Sequence, residues 1–225
     1  MVAALRSEEE ECRIQVGRLA SLEGHLSVPA GARGVVLFAH GSGSSRHSPR
    51  NRYVAWTLRE AGLATLLIDL LTSQEESLDS RSGRYRFNIA LLAERIADAS
   101  EWLSQHTPAD WPIGYFGAST GAGAALVAAA QRPQRVGAIV SRGGRPDLAG
   151  PWLPKVRAPT LLIVGGGDLP VIELNQQALE QLGSAKKRLV LVPRATHLFE
   201  EPGALEEVGR LAADWFARHL QEEEE

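Results

Sequence analysis

The sequence holds one cysteine, Cys12, in 225 residues, so no disulfide can form within the chain. The glutamates beside that thiol give it no catalytic setting. No apolar run comes near the roughly 18 residues that a membrane-crossing helix needs. The first eleven residues place Glu8, Glu9, Glu10 and Glu11 where a secretory leader would be apolar. These absences point to a cytoplasmic protein without a membrane partner. A surplus of positive charge is missing as well. The 24 Lys and Arg stand against 27 Asp and Glu, for a net charge of −3, which provides no basic field for a phosphate backbone and excludes nucleic acid as the expected partner. No group of His, Cys, Asp and Glu has the spacing of zinc ligands, and no G-x-x-x-x-G-K-[ST] loop occurs. Neither a metal nor another cofactor is therefore expected.

What is present is the balance of a globular protein, 44% apolar and 23% charged. The length suits one core, read as a single domain over residues 12–220 between acidic tails at 1–11 and 221–225. From residue 34 onward, short runs rich in Val, Ile and Leu at 34–39, 64–70, 113–116, 136–140, 160–164 and 189–192 alternate with helical segments at 50–61, 89–105, 121–131, 173–182 and 205–220. That rhythm predicts βαβ units around a buried parallel sheet. Ahead of them, 12–16 and 22–28 alternate apolar and polar residues and predict an antiparallel hairpin at one edge. The fold class is α/β, with about eight strands in a mostly parallel sheet, helices on both faces and no large lid. The least regular stretch is 71–86, just past a strand end, where functional loops commonly sit.

The run at 113–116 leads into Gly117-Ala118-Ser119-Thr120-Gly121 and then a small-residue helix. A G-x-S-x-G on a strand-to-helix bend can hold a serine hydroxyl exposed at the sheet edge, as a nucleophile requires. Such a hydroxyl needs a base, and the base needs an acid to orient it. Asp168 follows 160–164 and His197 follows 189–192, so strand ends bring both toward Ser119. A helix N-cap is the plainer reading of Asp168, and Asp147 is the reserve acid. His25, His106 and His219 fall away from the strand ends. His40-Gly41-Ser42-Gly43-Ser44-Ser45 follows the first central strand, and the backbone N–H groups of Ser42 and Thr120 are assigned to an oxyanion hole, with His40 shaping the loop.

Two other readings compete. Gly41-Ser42-Gly43-Ser44-Ser45-Arg46 begins like a dinucleotide loop, with Asp69 where a ribose ligand would sit, although Arg46 replaces the third glycine. A non-catalytic binding protein could also use the same crevice, but it would not need all four elements intact.

Through these residues the chain resembles the dienelactone hydrolase-like branch of the α/β-hydrolases. The resemblance runs from about Arg18 to Leu220 and rests on Phe38-Ala39-His40-Gly41-Ser42-Gly43, Asp69-Leu70-Leu71-Thr72, Gly114 to Gly121, Ser141 to Asp147, and Ala195-Thr196-His197-Leu198-Phe199. Dienelactone hydrolases have a cysteine nucleophile and a glutamate in the oxyanion loop. This chain has Ser119 and no acid between His40 and Ser45, a serine-nucleophile variant. The resemblance implies hydrolysis of small carboxylic esters, lactones or thioesters through an acyl-enzyme, and the segment between Val140 and Thr160, too short for a helical lid, predicts a shallow, open site. Arg142 and Arg145 past one strand end, and Arg81 in the irregular stretch, are candidates to bind a substrate carboxylate. A homo-oligomer is left open.

Overall fold

The middle of the sheet is built from strands that are mostly apolar on both faces, as strands covered by helices on both sides must be. The computed structural model describes residues 9–17 and 20–220. The expected acidic tail at 221–225 lies outside them. The strands are β1 (Glu9–Val16), β2 (Ala20–Ser27), β3 (Val35–Ala39), β4 (Ala64–Ile68), β5 (Ile113–Ala118), β6 (Ala138–Arg142), β7 (Thr160–Gly165) and β8 (Lys187–Val192). They form one eight-stranded sheet in the order β1-β2-β4-β3-β5-β6-β7-β8. β1 pairs antiparallel with β2, and β2 antiparallel with β4, while every pairing from β4 to β8 is parallel. β3 to β7 are buried along their whole length. β8 starts on exposed Lys187 and Arg188, the charges with which an edge strand resists further pairing.

The hairpin begins earlier than its apolar alternation indicates. Glu9, Glu10 and Glu11, read above as tail, stand opposite Ser27, Leu26 and His25 in the β1–β2 ladder. Backbone pairing decides this strand, and its outer side chains can be charged because the strand is an edge.

The helices are α1 (Pro49–Glu60), α2 (Ser73–Ser82), α3 (Ile89–His106), α4 (Thr120–Gln131), α5 (Leu169–Gln181) and α6 (Ala204–Leu220). α1 and α6 cover one face, where the tilted rings of Phe38 and Phe116 pack with centroids 4.8 Å apart. α6 does so with Val208, Leu211, Ala212, Trp215 and Phe216, an apolar stripe at helical spacing. Each large side chain buried there contributes about 1.5–3 kcal/mol. α3 and α4 pack on the other face, as do α5's Ala178 and Leu182, which follows it. A 3₁₀ segment, Pro146–Lys155, kinks at Gly150 between β6 and β7.

α2 falls in the stretch expected to be irregular. It has no apolar stripe to mark it, but its ends carry local signals. Thr72 and Glu75 form a reciprocal capping box, and Gly83 closes the helix in the left-handed conformation. The chain leaves β3 toward β4 on one side and returns at β5 on the other, so the ends of β3 and β5 form the point where strand order reverses. A crevice opens at such a point.

Candidate active site

Ser119 sits at that reversal, between β5 and α4, with φ 49° and ψ −122°. A non-glycine residue in so sparsely populated a region costs about 1–3 kcal/mol, so the surroundings must impose it. The Ser119 amide donates to the Arg142 carbonyl at 3.3 Å, and the Ser119 carbonyl accepts from Ala122 at 3.1 Å and Arg145 at 3.0 Å. The flanking glycines are demanded by contact. A Cβ on Gly117 would stand 2.4 Å from Ala122 Cα, and one on Gly121 2.3 Å from the His40 carbonyl oxygen. The Ser119 side chain is partly exposed, and its Oγ makes no hydrogen bond to any described residue.

The loops after β7 and β8 interlock. Gly166 donates to Val192 O at 2.8 Å and Gly167 to Ala195 O at 2.9 Å. This brings Asp168 Oδ2 to 2.7 Å from His197 Nδ1. Asp168 stands at the N-cap of α5, yet its side chain makes no capping bond, so the carboxylate serves the imidazole and not the helix. The Asp168 side chain is 14% exposed and that of His197 40% exposed. The ring lies over Gly143, where a Cβ would come within 3.5 Å of its Cε1. Ser119 and His197 thus both border the end of β6. Arg194 (φ 63°) and Phe199 (φ 56°) bracket the histidine loop in the left-handed region.

The other candidate acid and histidines are engaged elsewhere. Asp147 forms a two-bond pair with Arg145 at 2.8 and 2.7 Å. His25 is buried beside Arg46 and Glu9, His106 stacks on Trp102, and His219 packs against Trp215.

The loop after β3 is held from both ends. Buried His40 accepts the Leu70 amide on Nε2 at 3.0 Å, so its proton is on Nδ1, which donates to Gly41 O at 2.8 Å. Burial pushes this imidazole's pKa below its usual value, consistent with the neutral ring the two bonds require. At the far end, the Arg46 amide donates to Asp69 Oδ1 at 2.7 Å, and its guanidinium pairs with Asp69 and Glu23. Asp69 is therefore committed to Arg46, which removes the ribose ligand that a dinucleotide loop would need.

In between, the Ser42 amide, expected as a direct oxyanion-hole donor, is already engaged. It donates to Thr120 Oγ1 at 2.9 Å, because His40 holds the Gly41–Ser42 peptide from its carbonyl side. The Thr120 amide, at the first residue of α4 directly after Ser119, has no intrahelical acceptor.

A cleft runs from this loop and Thr120 to Leu70, Leu71 and Leu92, with α2 along one side. Sequence reasoning missed that wall; the capping box at Thr72 was its signal. Asp79, 2% exposed, ties α2 to the next loop by accepting from the Tyr85 amide at 2.5 Å and from Arg86 Nε at 2.5 Å. Of the three arginine candidates, Arg81 is exposed on α2 and lies outside the cleft lining. Arg145 is satisfied by Asp147, and Arg142 is buried at the end of β6. Among the described residues no three His, Cys, Asp or Glu side chains group as metal ligands, and no helix is long and apolar enough to cross a membrane.

The family profile described as the alpha/beta hydrolase fold matches residues 34–221. The structure of a dienelactone hydrolase from Anabaena variabilis is 61% identical, with a TM-score of 0.91, covering 95% of this chain and 98% of that one. Est1E from Butyrivibrio proteoclasticus shares the fold at 15% identity and a TM-score of 0.78, over 94% of this chain and 99% of its own. A Mycobacterium tuberculosis protein named as a putative phosphoribosyl transferase is 59% identical over 213 residues, 94% of this chain and 47% of that protein. The chain spans about half the length of the curated relatives it matches first.

Proposed function

The chain belongs to the α/β-hydrolase family, on its dienelactone hydrolase-like branch, and from that premise we propose that it is a serine hydrolase of small carboxylic esters, lactones or thioesters. The observation that carries this reading is the 2.7 Å bond from His197 Nδ1 to Asp168, formed beside a serine held at φ 49° on a strand-to-helix bend.

In this reading Ser119 Oγ attacks the substrate carbonyl while His197 Nε2 takes its proton. Asp168 fixes the tautomer that leaves Nε2 free to accept, and it stabilises the imidazolium that results. The oxyanion meets the Thr120 amide and the positive end of α4. Thr120 contributes a second time. Its hydroxyl accepts the Ser42 amide, which leaves the O–H hydrogen free to point at the same oxygen, so Ser42 acts through Thr120 and not directly. Collapse of the tetrahedral adduct breaks the ester C–O bond, with His197 returning the proton to the leaving alcohol. Water activated by the same imidazole then releases the acid from Ser119. The cleft beside Leu70 and Leu92 receives the substrate's apolar part.

The test is hydrolysis of a short-chain aryl ester by wild type and Ser119→Ala, with the acyl-enzyme sought by mass spectrometry. We expect the rate to fall by about 10⁴-fold or more and the acyl mass to sit on Ser119. Equal rates in the two proteins, or no turnover across a broad ester panel, would overturn the reading.

A further inference from the structure

β6 ends in a charge that meets no counter-ion among the described residues. Arg142 is 8% exposed, and its guanidinium makes one hydrogen bond, from Nη2 to Asn51 Oδ1 at 3.3 Å. Its Nε and Nη1 are buried without a partner among the described residues. Burial, and then the neighbouring Arg50 cation, pull its pKa down to about 10. Arg50 also leaves a buried Nε unpartnered and pairs through Nη1 with Glu200 at 3.0 Å, a carboxylate whose side chain is 64% exposed.

Both cations meet the first turn of α1. Arg50 belongs to that turn, and Arg142 reaches it at Asn51. The turn carries no acidic residue, and α1, 12 residues long, presents the positive end of its dipole there. Two guanidinium groups and a helix N-terminus thus converge on a corner where, among the described residues, Arg142 is bonded to no carboxylate and Arg50 only to the exposed Glu200. A desolvated, unpaired cation works against folding, and a fold gains from keeping one where a ligand supplies the missing charge.

We propose that this corner is an oxyanion-binding site, in which Arg142 and Arg50 grip a carboxylate or phosphate group beside the end of β6. Guanidinium forks match the paired oxygens of either group. Glu200 is the internal competitor. It is exposed, joined to Arg50 by one bond and three residues past His197, so an incoming anion displaces it and takes over Arg50. The Arg142 carbonyl accepts the Ser119 amide, so the residue that carries this cation is anchored through its backbone to the proposed nucleophile. An anion carried by the substrate would make half-esters of dicarboxylic acids the preferred class. Only that statement rests on the hydrolase reading; binding is testable without any turnover.

The experiment follows thermal unfolding of the full chain against inorganic phosphate and against succinate, with sodium chloride at matched ionic strength. We expect wild type to show a saturable rise in Tm and Arg142→Met to show none, while unfolding no lower than wild type in anion-free buffer. Glu200→Gln should respond at about tenfold lower anion concentration. No rise in wild type, or the same rise in Arg142→Met, overturns the site. If Arg142→Met fails to fold, Glu200→Gln decides alone, and an unchanged or weaker response overturns it.

The source of the anion is read from kinetics on a monoaryl succinate and the matching aryl butyrate. A fall of about tenfold in the ratio of their kcat/KM values in Arg142→Met assigns the site to the substrate's own carboxylate. An unchanged ratio, with the thermal response retained in wild type, assigns it to free phosphate. If neither ester is hydrolysed, the hydrolase reading falls and the thermal result still stands.

Discussion

Gly121→Ala is the sharpest test of how the nucleophile bend is built. A methyl at this position would stand 2.3 Å from His40 O, 2.4 Å from Ala39 O and 2.8 Å from Ala39 C. All three are backbone atoms, so no side chain can rotate away. Ordinary contact begins near 3.4 Å, and the start of α4 must therefore separate from the end of β3 by about 1 Å. Overpacking of this kind costs about 1–3 kcal/mol, and the better helix propensity of alanine returns about 1 kcal/mol. The net change is up to about 2 kcal/mol, a fall in Tm of up to about 8 °C at about 2–4 °C per kcal/mol. The rate should suffer more than the stability. The shift separates Thr120 from the loop that carries Ser42, and a misplacement of about 1 Å can cost about 100-fold. The assay is kcat and KM on an aryl ester beside a thermal melt. A variant within about twofold of wild-type kcat would refute both the contact and the role given to α4's first turn.

Thr120→Val, which keeps the shape and removes the hydroxyl, should lower kcat by about 100-fold with little change in KM, while Thr120→Ser keeps most of the rate. A kcat at or above wild type would mean that the hydroxyl blocks the Ser42 amide and does not extend it. Asp168→Asn should lower kcat by about 10⁴-fold, because it favours the wrong histidine tautomer; melting near the wild-type temperature separates this loss from misfolding. Asp79→Asn should destabilise the protein in a pH-dependent way. Burial alone would raise the Asp79 pKa, but the Tyr85 amide and Arg86 outweigh it and hold the carboxyl below its usual range. The stability it contributes is complete above the unfolded pKa of about 3.9 and is lost as pH falls through the folded value. The gap between wild type and Asp79→Asn in urea midpoints should therefore be wide at pH 7 and narrow toward pH 3.

The parallel strands were legible because burial on both faces leaves little room for polar residues, and their apolar runs lie within one or two residues of β3, β4 and β5. β6 runs on to Arg142 and β8 starts at Lys187, and sequence reading stopped short of both for opposite reasons. Arg142 is a charge in a buried strand, and Lys187 and Arg188 are charges on an exposed edge. α2 has one apolar residue, the exposed Leu78, so periodicity could not find it, although Thr72, Glu75 and Gly83 mark its ends. Chain order and strand ends were enough to nominate Ser119, Asp168 and His197. They could not reveal that the Ser42 amide would turn to Thr120, because that depends on the bond from His40 to Gly41, which only the folded loop makes. The reserve acid was equally opaque in sequence, since Asp147 separates from Asp168 only by the Arg145 it meets.

Among the described residues other than glycine, only Ser119, Arg194 and Phe199 have positive φ, and selection for heat resistance would act on them differently from selection for turnover. Arg194 is exposed, so Arg194→Gly relieves backbone strain at no cost in packing, a gain of up to about 1 kcal/mol. The same exchange frees the hinge of the loop that carries His197. A library screened for melting temperature alone should recover that substitution early and slow the protein without touching any group that meets substrate. The histidine loop is where durability and speed draw on the same bonds.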